Sequence, residues 1–127
     1  MPPGSGLDTV MLVNSGSEAN ELAWRLATTV TGRSGAVVTE NAYHGVTTAI
    51  ADLSPEEWPR GYVAAQTQLV SPRSLDDEIT VELAATFVDC GFTSDGILTP
   101  PAEELTALVE RTHEAGGLFV ADEVQSG

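Results

Sequence analysis

Residues 10–27 read VMLVNSGSEANELAWRLA, and the change of period inside this stretch decides the fold. Residues 10–13 are apolar without alternation, as in a strand buried on both faces. Asn14 ends the run and a helix is expected to follow. Ser15 or Ser17 can cap it, Glu18 lies in its first turn, and Leu22, Leu26 and Val30 recur at helical spacing beside Ala23 and Ala27. Gly32 is placed to close the helix in the left-handed conformation.

The same alternation continues along the chain. Residues 36–39 read as a second strand, and 46–51 as a short helix after the polar turn ENAYHG. Pro55, Pro59 and Gly61 make the next stretch a loop. TQLV (67–70) and ATFVDC (85–90) are strand candidates. The acidic segment 71–84 between them leaves room for a turn or two of helix around residues 75–83, barely the dozen residues that a parallel crossover needs. After GFTSDGILTPP a helix begins near Pro101, since proline is tolerated in a first turn. Glu103 and Glu104 near its start and Arg111 and His113 near its end suit the helix dipole, while Leu105, Leu108, Val109 and Thr112 form its inner stripe. Gly116 and Gly117 stop it, and LFVA (118–121) is a last buried strand that delivers DEVQSG. Strand and helix in this order predict an α/β fold: a three-layer, open, mainly parallel sheet with helices on both faces.

Bulk properties exclude several functions. The 127 residues carry 19 Asp and Glu against 5 basic residues, all Arg, for a formal charge of −14. Such a field repels nucleic acid and anionic membranes, so any single phosphate needs a strong local device. Cys90 is the one cysteine, which rules out an internal disulfide and a thiolate metal pair and suggests a reducing, cytoplasmic setting. The start, MPPGSGLDTVMLVN, has neither the basic region nor the apolar length of a signal sequence or membrane span. His44 and His113 form no metal constellation.

In open α/β sheets ligands lie beyond the carboxyl ends of the strands, and three polar clusters fall there: residues 15–18, 40–45 and 122–125. A glycine between two serines at a strand-to-helix turn exposes the N–H groups of Gly16 and Ser17 at the positive end of a helix dipole, a seat for phosphate; a plainly capped helix is the alternative. Glu18 competes for that dipole unless its side chain turns away. Asp122 ends an apolar strand, where an ionised carboxylate needs a cation or several donors. A protonated ring nitrogen meets that need, and so does a turn that the aspartate caps. Tyr43 offers a flat face for stacking on a ring, or simply fills core space.

VNSGSEANELAWRLA, ENAYHGVT and GGLFVADEVQSG, in that order, resemble the core of the class III aminotransferases, pyridoxal-phosphate enzymes of fold type I. The resemblance spans about residues 7–127. It implies that Gly16 and Ser17, assisted by Ser15, bind the cofactor phosphate, and that Tyr43 stacks on the pyridine ring with His44 nearby. Asp122 would pair with the ring nitrogen and keep it protonated, Val124 would pack on the ring, and Gln125 would reach its hydroxyl. It also implies an amino donor, a keto acid or aldehyde acceptor, and a homodimeric parent. YHGVTTAIADLSPEEW is closer to the branch of alanine–glyoxylate aminotransferase-like enzymes and amino-alcohol phosphate lyases, which leaves transamination and elimination both open.

The family carries its cofactor on a lysine downstream of the aspartate motif, and this chain contains none. The expectation is therefore that residues 1–127 are part of a cofactor-binding large domain, without the upstream segment, the lysine region and the C-terminal small domain. The competing readings are a catalytically incompetent remnant and a generic anion-binding α/β domain. Where many relatives place an acidic residue after the third motif strand, this chain has Cys90, with Asp89 expected on the opposite face.

Overall fold

The computed structural model describes residues 6–127; the reading of residues 1–5 as part of a start without a leader lies outside them. Four parallel strands form one sheet in the order β2-β1-β3-β4: β1 Gly35–Thr39, β2 Thr67–Val70, β3 Leu83–Asp89 and β4 Leu118–Asp122. Helix α1 (Gly16–Thr31) and the short α2 (Thr48–Ala51) cover one face, and α3 (Ala102–Glu114) the other. Alternate strand residues divide the core between the two faces. Ala36, Val38 and Phe87 meet Trp24, Ala27, Ile50 and Leu53 on one side, while Val37 and Val88 meet Leu75, Phe92 and Leu108 on the other. The expected three layers are present.

Local chemistry explains the element ends. Ser15 is the N-cap of α1, its Oγ accepting from the Glu18 N–H at 3.2 Å. Gly32 ends the helix at φ +68°, where its N–H reaches the Thr28 carbonyl. α3 starts after Pro101, with Glu103 and Glu104 in its first turn and Arg111 and His113 in its last, as the dipole favours.

Four expectations need correction. Residues 10–13 form no strand and stand in solvent, Leu12 at 92 % exposure; among the described residues no strand lies beside them to take up their N–H and C=O groups. Helix α1 buries Asn20, Trp24 and Ala27, with Ala23 partly buried, leaving Leu26 and Val30 exposed. The helix has two apolar stripes, and the one holding its largest side chain wins: the Trp24 ring lies 6.3 Å from that of Phe87. Segment 71–82 contains no helix. A tight turn bridges Ser71 and Ser74, and the Gln68 side chain pins the rest through the Glu78 carbonyl, the Thr80 N–H and the Thr80 hydroxyl. Leu75 is driven into the core, its carbonyl taken by Arg111. Lastly, β4 is a half-exposed edge strand, Leu118 at 39 %, because it has a neighbour on one side only among the described residues.

Smaller differences follow the same logic. The helix expected over 46–51 shortens to Thr48–Ala51, and the proline loop contains a 3-10 turn over Pro55–Glu57. No helix among the described residues is long and apolar enough to cross a membrane.

Candidate functional site

The carboxyl ends of β1, β3 and β4 and the amino end of α1 converge on one cleft of about 180 Å³. Ser15, Gly16, Ser17, Tyr43, His44, Asp122, Val124 and Gln125 all line it. Residues up to 110 positions apart in the chain are thus brought together by the parallel topology.

The α1 end of the cleft suits an anion. Ser15 uses its Oγ and its carbonyl to take the N–H groups of Glu18 and Ala19. Among the described residues nothing accepts from the N–H groups of Gly16 and Ser17, which lie at the positive end of a 16-residue helix. Glu18 does not compete for this place. Its carboxylate turns back to the N–H and side-chain amide of Asn14, at 2.7 and 3.1 Å, and it does not line the cleft.

The β4 end carries a held carboxylate. Asp122 Oδ2 accepts from His44 Nδ1 at 2.8 Å and from Asn20 Nδ2 at 2.8 Å, and Oδ1 accepts from the Val124 N–H at 3.1 Å. Burial pushes Asp122 up, but the bonds from His44, Asn20 and Val124 and the charge of His44 outweigh it and hold the carboxyl below its usual range. An ionised carboxylate only accepts, so Nδ1 of His44 carries the proton of that bond. His44 Nε2 is buried and has no partner among the described residues, and the imidazole packs 5.5 Å from the Phe87 ring. A carboxylate offers about four acceptor positions. Among the described residues three are used, and one on Oδ1 is open.

Two glycines allow the walls to close. A Cβ on Gly16 would stand 2.8 Å from Val124 Cγ2, so the first turn of α1 rests against the chain just after β4. Gly45 sits at φ +129°, and a Cβ there would come within 2.5 Å of Ser17 Oγ. Ser17 Oγ also accepts from the Val46 N–H at 3.3 Å, tying the loop after β1 to the anion end.

Sequence reasoning missed Asn20 and Asp89, and placed Gly45 in the second polar cluster without a role; all three complete the cleft. A signal for Asn20 existed: an amide at helical spacing from Trp24 and Ala27 marks a polar group on a buried face. Asp89 lies opposite Asp122 in the β3–β4 register. It lines the cleft, its carboxylate held by the N–H groups of Gly91 and Thr93 and the Thr93 hydroxyl, whereas Cys90 is exposed and does not line it. Among the described residues no group of three His, Cys, Asp or Glu could hold a metal.

The family model for aminotransferase class III matches residues 1–127. The chain belongs to that family. This class-III member is 32 % identical to ethanolamine-phosphate phospho-lyase homolog 1 of Caenorhabditis elegans, over 96 % of this chain and 34 % of the relative. It is 33 % identical to the acetylornithine aminotransferase of Mycolicibacterium smegmatis, over 93 % of this chain and 32 % of that one. Among solved structures it resembles a phospholyase from Arthrobacter in complex with phosphoethanolamine, at TM-score 0.79 and 28 % identity, covering 91 % of this chain and 33 % of that one. It also resembles a transaminase with PLP bound, at TM-score 0.69 and 28 % identity, covering 90 % and 30 %. The class-III chain thus spans about a third of the length of these relatives.

Proposed function

We propose that this class-III aminotransferase-family chain is the cofactor cradle of a pyridoxal-phosphate enzyme that moves an amino group between an amine or amino acid and a keto acid or aldehyde. One observation carries the reading: free helix N–H groups and a held, ionised aspartate face the same cleft. The residues fit a phosphorylated pyridine at both poles. Gly16 and Ser17 would take the phosphate, which a chain of charge −14 cannot attract without such a device. The open acceptor position of Asp122 would take the ring N–H, Tyr43 and Val124 would enclose the ring, and Gln125 would reach its hydroxyl.

When bound, a pyridinium ring acts as an electron sink for a carbanion at the amine-bearing carbon. The work of this chain is to hold that ring. Asp122 would keep a proton on the ring nitrogen, because its three donors hold the carboxyl below its usual range and so leave the shared proton on the nitrogen. The amine that the family's chemistry requires does not come from these 127 residues, which contain no lysine. We therefore place the lysine, and with it the small domain and the upstream part of a large domain, outside this sequence. We also propose a cytoplasmic setting, which fits the unpaired Cys90, and a homodimeric parent.

A second reading has its own support. The phospho-lyase relatives, at 32 % identity and at TM-score 0.79, make elimination of phosphate from an amino-alcohol phosphate an alternative reaction on the same cradle.

Calorimetric titration of the chain with pyridoxal phosphate, pyridoxal and inorganic phosphate tests the cradle. The phosphorylated pyridine should bind more tightly than either part, with Asp122→Ala and Gly16→Val each weakening it at least tenfold. Equal titrations for the parent chain and both variants would remove the assignment.

A further inference from the structure

Asn20 stands where the two poles of the cleft meet, and nothing in the cradle reading uses it. It projects from the second turn of α1 and is 5 % exposed. One amide nitrogen donates to two elements at once, to the His44 carbonyl at 2.8 Å and to Asp122 Oδ2 at 2.8 Å. Both its protons are therefore committed. The anion-binding helix is tied through this one side chain to the loop after β1 and to the end of β4.

We infer that Asn20 is a positioning residue for the ring-nitrogen contact: it orients the Asp122 carboxylate and keeps it ionised. This rests on the cradle reading only for the identity of the ligand. The burial of Asp122 argues for the role, since a carboxylate 7 % exposed needs several donors to stay charged. His44 and Asn20 share one oxygen, Oδ2, and the Val124 N–H takes Oδ1, so Asn20 supplies the bond that ties the carboxylate to α1 and the second donor that its most heavily used oxygen receives. The other charged groups near Asp122 are carboxylates. Asp89 is its register partner on β3, and Glu123 follows it. The His44 backbone has a second anchor, its N–H donating to the Ser54 hydroxyl at 3.0 Å. Ser54 makes no bond to the carboxylate itself, so Ser54→Ala loosens the loop while both side-chain donors to Asp122 stay in the chain.

That separation makes the inference testable without activity. The Asp122 carboxyl carbon is followed by NMR against pH in the parent chain, in Asn20→Leu, which keeps the volume and removes both donors, and in Ser54→Ala. Losing one donor bond should raise the Asp122 midpoint by about one pH unit in Asn20→Leu. Ser54→Ala should leave it in place while lowering the melting temperature. Should Asn20→Leu not fold, Asn20→Ser carries the same comparison with a donor too short to reach both partners. A second arm compares pyridoxal phosphate with the analogue in which CH replaces the ring nitrogen. Asn20→Leu should weaken the first about tenfold and the second hardly at all. An unmoved Asp122 midpoint, or equal weakening for both ligands, overturns the positioning role. A parent chain that binds neither ligand overturns the cradle reading instead, and the ligand-free titration still decides the role of Asn20.

Discussion

Nδ1 of His44 lies 2.8 Å from Oδ2 of Asp122, joining the loop after β1 to the end of β4 across 78 residues of sequence. The bond gives the fold an acid-sensitive joint. Asp122 is held below its usual range by donors that exist only in the folded chain. Its contribution to stability is therefore present above the unfolded value near 3.9, and it is lost as pH falls through the lower folded value. Asp122→Asn should lower the urea midpoint at pH 6, and the gap from the parent chain should narrow as pH falls below the unfolded value. A gap that does not change with pH would show that the carboxylate charge contributes nothing.

Gly16 and Val124 make a pair that a double-mutant cycle can read. A Cβ on Gly16 enters the Val124 side chain at 2.8 Å, so Gly16→Ala should cost about 1–3 kcal/mol by overpacking. Adding Val124→Ala should recover much of that cost. Additive losses in chemical denaturation would contradict the contact.

Gly45 is constrained twice, by φ +129° and by the approach of Ser17. Gly45→Ala should destabilise the chain by more than about 2 kcal/mol and weaken phosphate binding. Gly61→Ala makes the comparison. Its φ is +82° but among the described residues nothing lies within 4 Å of its Cβ position, so only the backbone strain of about 1 kcal/mol should appear. Thermal melts of the two variants read the difference.

Although Cys90 is exposed as a residue, the neighbouring chain desolvates its sulfur and pushes the thiol up, and Glu123, Asp89 and Asp122 add to the effect. The thiolate should be scarce at pH 7.5 and alkylation by iodoacetamide slower than for free cysteine. Glu123→Gln should speed the reaction, by about twofold to fivefold, as one nearby charge is removed. An unchanged rate would exclude that charge as a cause.

Much of the site was legible before the fold was seen. A left-handed glycine, a serine cap and an aspartate closing an apolar run are set by neighbours along the chain, so Gly32, Ser15 and Asp122 stand where local chemistry puts them. The alternation of periods likewise determined parallel strands with helices on both faces, and hence that the three polar clusters share one end of the sheet.

What crosses the sheet was not legible. Period alone cannot tell which of two apolar stripes on α1 is buried, and the answer depends on Phe87, 63 residues beyond Trp24. The same contact turns Asn20 toward Asp122 and leaves Leu26 and Val30 in solvent. Residues 10–13 have the composition of a strand, yet a strand exists only where another lies beside it to pair its N–H and C=O groups. Asp89 enters the cleft in place of Cys90 because the pleat of β3, paired in register with β4, sets the direction of each side chain. The sequence by itself determined the elements and the chemistry at their ends; tertiary structure decided which faces meet, since burial is a property of partners that only folding brings together.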